Sequence, residues 1–95
     1  MDKRTEYVEN LSAQMVAWDV QIDQLRYKAD NAAPGLKEDY SHSITLLQLK
    51  RNEAAEKLKG ISIAGDNEWE ELKTGTENVW GELRAILHDT IVKIV

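Results

Sequence analysis

The sequence predicts an all-α protein: an antiparallel helical hairpin with coiled-coil packing, closed by a third amphipathic helix into a three-helix bundle. Three observations lead there. Two stretches carry apolar residues at heptad spacing, with the chain's one proline between them. A third stretch repeats a tryptophan phrase eleven residues on, close to three helical turns. The composition, 42% apolar with 31% charged residues, suits a folded helical protein better than a disordered tail. Ninety-five residues then make a single domain, 1–95.

The first helix is expected over about residues 4–32. Val8, Leu11, Met15, Trp18, Ile22, Leu25, Ala29 and Ala32 alternate steps of three and four, which sets them on one stripe of an α-helix. In "NAAPGLKED", Pro34 lacks the N–H that a continuing helix needs, and Gly35 turns at little cost. A turn is therefore predicted at 32–36.

A second helix, about 37–62, follows with its own stripe: Tyr40, Ile44, Leu47, Arg51, Ala54, Leu58 and Ile61. Folding the chain back at Pro34–Gly35 pairs the two stripes. Ala29 meets Tyr40, Leu25 meets Ile44, Ile22 meets Leu47, and Trp18 meets Arg51. Met15 then meets Ala54, Leu11 meets Leu58, and Val8 meets Ile61. Every pair joins an a to a d position, the layer pattern of an antiparallel hairpin. Arg51 is the odd member. Its stem packs while its head reaches water, Asp19 or Asp23, or its guanidinium stacks on Trp18, a candidate structural pair.

A second turn is expected at 63–66, with Gly65 at the position after the helix end. Asn67-x-x-Glu70 has the form of a capping box, and Glu68, Glu70 and Glu71 suit the positive end of a helix dipole. The third helix is expected over about 67–92. In it, Trp69-x-Glu71-Leu72-Lys73 returns as Trp80-x-Glu82-Leu83-Arg84. Eleven residues in three turns is about 3.67 per turn, so both tryptophans stay on one face. Trp69, Leu72, Val79, Trp80, Leu83, Leu87 and Ile91 form the candidate interaction face, with Thr76 and Ile94 on the same stripe. Gly75 and Gly81 weaken this helix by about 1 kcal/mol each relative to alanine, unless they permit a close approach.

Several functions are argued against. Without cysteine there is no disulfide framework, thiolate metal site or cysteine nucleophile. A net charge of −5 disfavours nucleic-acid binding, which needs a basic surface. "MDKRTEYVEN" does not read as a secretory signal, and no apolar run is long enough to span a bilayer. The expected location is cytoplasmic. Asp39-x-x-His42 has helical ligand spacing but stands alone, and His88 and Asp89 diverge on a helix; both histidines read as surface residues. The scattered glycines make no phosphate loop, and Ser41 and Ser43 near His42 make no nucleophilic set. No metal, cofactor or catalytic residue is expected, and the chain is not read as an enzyme.

Three phrases carry a family likeness. Trp18, Ile22, Asp23 and Leu25 stand in "WDVQIDQL", and Tyr40, Ile44, Leu47 and Arg51 in the second helix. Ala64, Gly65, Trp69, Glu70, Leu72, Lys73, Gly75, Glu77 and Trp80 stand in "AGDNEWEELKTGTENVW". Over roughly residues 7 to 87 the chain resembles a family of small bacterial coiled-coil domain-containing proteins. The resemblance implies a bacterial helical protein, sometimes stress-associated, with no established activity. The chain departs from that family at Pro34–Gly35, where members look like continuous Ala/Lys/Asp-rich helix. One long helix through 25–47 is thus the alternative architecture.

The expected function is structural or interactive, through protein–protein contacts of the amphipathic helices. Self-association as a homodimer, or binding of another protein, is the expected partnership. The alternative is peripheral binding to a lipid surface through the tryptophan repeat. From Asp66 onward seven acidic residues stand against three basic ones, which disfavours a membrane. Whether the third helix docks in its own chain, swaps between chains or meets lipid stays open at this level.

Overall fold

The computed structural model describes residues 2–94. It holds three helices, α1 (Lys3–Asp30), α2 (Pro34–Ile63) and α3 (Trp69–Lys93). They run up, down and up in an elongated bundle of 51 × 20 × 18 Å. The chain reverses between α1 and α2, so one long helix through 25–47 is not formed.

The first reversal is tighter than the proline suggests. Asn31 ends α1: its N–H and its side-chain amide both donate to the Tyr27 carbonyl, at 3.2 and 2.8 Å. Pro34 then opens α2 instead of sitting in the turn. The first helical position needs no N–H donor, and proline's fixed φ already suits a helix. Gly35 is helical too, with no positive φ.

The second reversal also departs from expectation. Extended backbone at Ala64 leads the chain out of α2, and Gly65 has no positive φ. The Gly65 carbonyl accepts from Glu68 and Trp69 at 3.0 and 3.2 Å, so right-handed winding begins in the turn. Glu68 stands at the helix start in αR geometry without a side-chain cap, and the Asn67 capping box is not made. Arg4 supplies a different lock. Its guanidinium donates to the Ala64 carbonyl and pairs with Asp66 at 3.0 Å, which satisfies an orphan carbonyl at the end of α2.

The core draws on both predicted stripes. Leu11, Met15, Ile22, Leu25 and Ala29 of α1 are buried, as are Ile44, Leu47, Ala54, Leu58 and Ile61 of α2. Val8, Trp18 and Tyr40 are partly buried against the same cluster. Helix α3 lies antiparallel to α2, fixed by Lys50–Glu82 at 2.8 Å and Lys93–Asp39 at 3.1 Å. It runs parallel to α1, and Arg4–Asp66 and Gln14–Trp80 are 62 and 66 residues apart in sequence. Helix α2 is the central element, while α1 and α3 meet mainly through long side chains.

Candidate interaction surface

Five of the seven residues on the predicted α3 face are buried inside the chain's own bundle: Trp69, Val79, Trp80, Leu83 and Leu87. Leu72 and Ile91 remain 43% and 39% exposed. The tryptophan phrase therefore serves as the contact of α3 with α1 and α2. Its two copies make equivalent meetings with α1. Trp69 lies against Tyr7 with ring centroids 6.0 Å apart, and Trp80 against Trp18 at 5.4 Å. Eleven residues separate Tyr7 from Trp18 as well, so both helices present aromatic rings at the same rise.

Polar groups complete this seam. The Trp80 indole N–H donates to the Gln14 side-chain carbonyl at 2.9 Å. The Lys73 ammonium sits 5.1 Å from the Tyr7 ring centroid and 5.5 Å from that of Trp69. Tyr7 donates to Glu77 at 3.4 Å; burial first, then the Glu77 charge and hydrogen bond, push its pKa up to about 12.

The Trp18–Arg51 pair resolves differently from the stacking idea. Arg51 makes two hydrogen bonds of 2.9 Å to the Asp19 carboxylate, a bidentate fork that raises its pKa through those bonds. The cation over Trp18 is Arg84, 5.9 Å from the ring centroid. Arg51 has a carboxylate one residue from Trp18, and a planar fork matches a carboxylate better than a ring face.

Two buried threonines close the α3 stripe. Thr76 and Thr90 donate to the carbonyls of Leu72 and Ile86 at 3.0 and 2.7 Å, so neither hydroxyl is left unpaired. Thr90 is buried where the apolar pattern points to Ile91. Threonine reads as polar in sequence, but this back-bond to the preceding turn lets it pack as a small β-branched residue. A Cβ placed on Gly75 or Gly81 meets nothing within 4 Å, so neither glycine serves a close approach inside the bundle.

Both histidines are exposed. No group of three or more His, Cys, Asp or Glu converges among the described residues.

Exposed large apolar residues occur on all three helices, and those of α1 fall on one line. Val16, Val20 and Tyr27 of α1 are 64%, 53% and 72% exposed. With Ala13 they step by three, four and seven, a second heptad line on the side of α1 away from its core stripe. Glu9, Asp23 and Asp30 occupy the remaining positions of that line, and all are exposed. A shallow hollow of about 490 Å³ lies on it, lined by Val20, Asp23, Gln24, Tyr27 and Lys28. In the sequence, the spacing of Ala13, Val16, Val20 and Tyr27 is the signal for this second line beside the core stripe.

No protein-family model matches this chain, and neither a curated protein nor a solved structure shows significant similarity to it.

Proposed function

We propose that the chain is a non-enzymatic helical interaction protein that acts through protein–protein contacts. The observation that carries this reading is the exposed apolar line of Val16, Val20 and Tyr27 on α1, which the bundle itself does not use. Isolated surface apolar residues need no explanation, but a heptad-spaced set on one helix back is the pattern of a helix-docking face. The burial of Trp69 and Trp80 supports the protein reading over the lipid one, because insertion into lipid would require removing them from the core. The resemblance of its phrases to small bacterial coiled-coil proteins, which are sometimes stress-associated, supports a stress-associated role.

The test compares wild-type protein with a Val16→Lys, Val20→Lys variant, each crosslinked in the cells that make it and then recovered. Both positions are exposed, so the variant keeps the fold. Wild type is expected to retain discrete protein partners that the variant loses. Identical profiles, or recovery of wild type on membranes alone, would contradict the reading.

A further inference from the structure

We infer that the outer line of α1 docks an amphipathic α-helix of another protein, with apolar knobs opposite Ala13, Val16, Val20 and Tyr27 and basic residues opposite Glu9, Asp23 and Asp30. The inference rests on the protein-contact reading above and adds the chemistry of the partner.

The apolar spacing around the hollow suits a helix as the occupant. Val20, Asp23, Gln24 and Tyr27 line the hollow, and they stand at i, i+3, i+4 and i+7. Four residues at those spacings form the hole that receives one knob from a facing helix in coiled-coil packing. Ala13, Val16, Ala17 and Val20 repeat the spacing one heptad earlier, and all four are exposed. Two consecutive holes in register fit a helix laid along α1 and do not require an extended strand or a small ligand.

Charge selects the partner. Acidic residues hold three of the seven positions on the line: Glu9, Asp23 and Asp30. A second copy fits poorly. Parallel pairing sets each of those acids against itself. Antiparallel pairing centred between Val20 and Asp23 sets Asp23 against Val20 and Asp30 against Ala13; centred between Val16 and Val20 it sets Asp23 against Ala13 and Glu9 against Tyr27, with no cation opposite in either. Asp23 has an intrahelical partner in Arg26 at 3.6 Å, but both are exposed and the pair is loose. Basic residues at the three acidic layers would fix register as well as identity, since charged seam positions penalise every shifted alignment. Lys28 borders the same hollow about 140° around the helix from Asp23, so the partner's basic residue belongs on the Asp23 edge.

Area sets the strength. From Glu9 to Asp30 the helix rises roughly 32 Å. One helix laid on that length falls short of the roughly 800 Å² per partner of a stable complex. The contact is reversible and salt-sensitive.

Two synthetic helical peptides of equal length test this. Both carry Leu opposite the four apolar layers; one has Lys and the other Glu opposite the three acidic layers. Binding to the full chain is followed by amide NMR. The Lys peptide is expected to perturb residues 9–30 and to bind about tenfold or more tightly than the Glu peptide, as opposite against like charge requires. Val20→Lys should abolish this binding with an unchanged circular dichroism spectrum. Equal affinity for both peptides would overturn the charge assignment while leaving the protein-contact reading intact. Absent binding, or perturbation confined to α2 and α3, would overturn the helix-docking inference itself. A concentration-dependent dimer that Val20→Lys dissolves would give the face to a second copy instead. Failure of the protein-contact reading would show separately, as identical partner profiles in the crosslinking comparison.

Discussion

The rings of Trp18 and Trp80 lie 5.4 Å apart at a 40° tilt and join two helices whose backbones approach each other little. Trp80 is 3% exposed and anchored by its hydrogen bond to Gln14. Truncating a buried tryptophan leaves a large cavity, so Trp80→Ala should cost about 3–5 kcal/mol. Urea denaturation followed by circular dichroism measures this. A loss below about 1 kcal/mol would mean that α3 is not held by its repeat.

Arg51 and Asp19 form a bidentate pair whose side chains are 32% and 40% exposed. Solvent screening at that exposure limits the coupling to about 0.5–1 kcal/mol. A double-mutant cycle with Arg51→Met and Asp19→Asn isolates it. The coupling of Arg51→Met with Trp18→Leu should stay below that of the Arg51–Asp19 pair, because the cation over the ring is Arg84.

Gly75 and Gly81 lie in the interior of α3 with open space where a Cβ would go. Each alanine substitution should therefore stabilise the protein by up to about 1 kcal/mol, through helix propensity alone. A rise in the urea midpoint at unchanged slope is the expected sign. Destabilisation would indicate a close approach that the single chain does not show.

Tyr7 holds its proton more tightly when folded, with a pKa pushed from 10.0 to about 12. A raised folded pKa means that the unfolded state loses the proton first as pH climbs. The contribution of Tyr7 is thus complete below pH ~10 and is lost progressively toward pH ~12. Stability measured across that window should fall less steeply for Tyr7→Phe than for wild type. Parallel curves would contradict the burial of Tyr7 beside Glu77.

Helix number, order and the buried stripes of α1 and α2 were legible because apolar spacing encodes them. Leu25 and Ile44, or Ile22 and Leu47, need only periodicity to be placed in the core. The ends of the helices were less legible. Pro34 breaks a helix when it stands inside one but starts a helix at its first position, and which applies depends on where the preceding helix stops. Asn31 decides that here, with its side chain on the Tyr27 carbonyl. Choices between equivalent partners were not legible either. Arg51 had both Trp18 and Asp19 within reach, and the cation over Trp18 came from Arg84, a helix that sequence reading leaves unplaced. The Arg4 clamp on Ala64 and Asp66 joins residues some sixty positions apart, and no local pattern announces it. The outward line of α1 was encoded by spacing, but only the fold shows that nothing in the bundle covers it.

The central claim is that the tryptophan repeat is spent inside the bundle. Tryptophan emission of the intact protein, recorded with and without phospholipid vesicles, tests it most directly. The account predicts blue-shifted emission in buffer that vesicles do not change, because Trp69 and Trp80 are already shielded by protein. Water-like emission that moves to the blue only with vesicles would contradict it, and would make α3 a lipid-seeking helix.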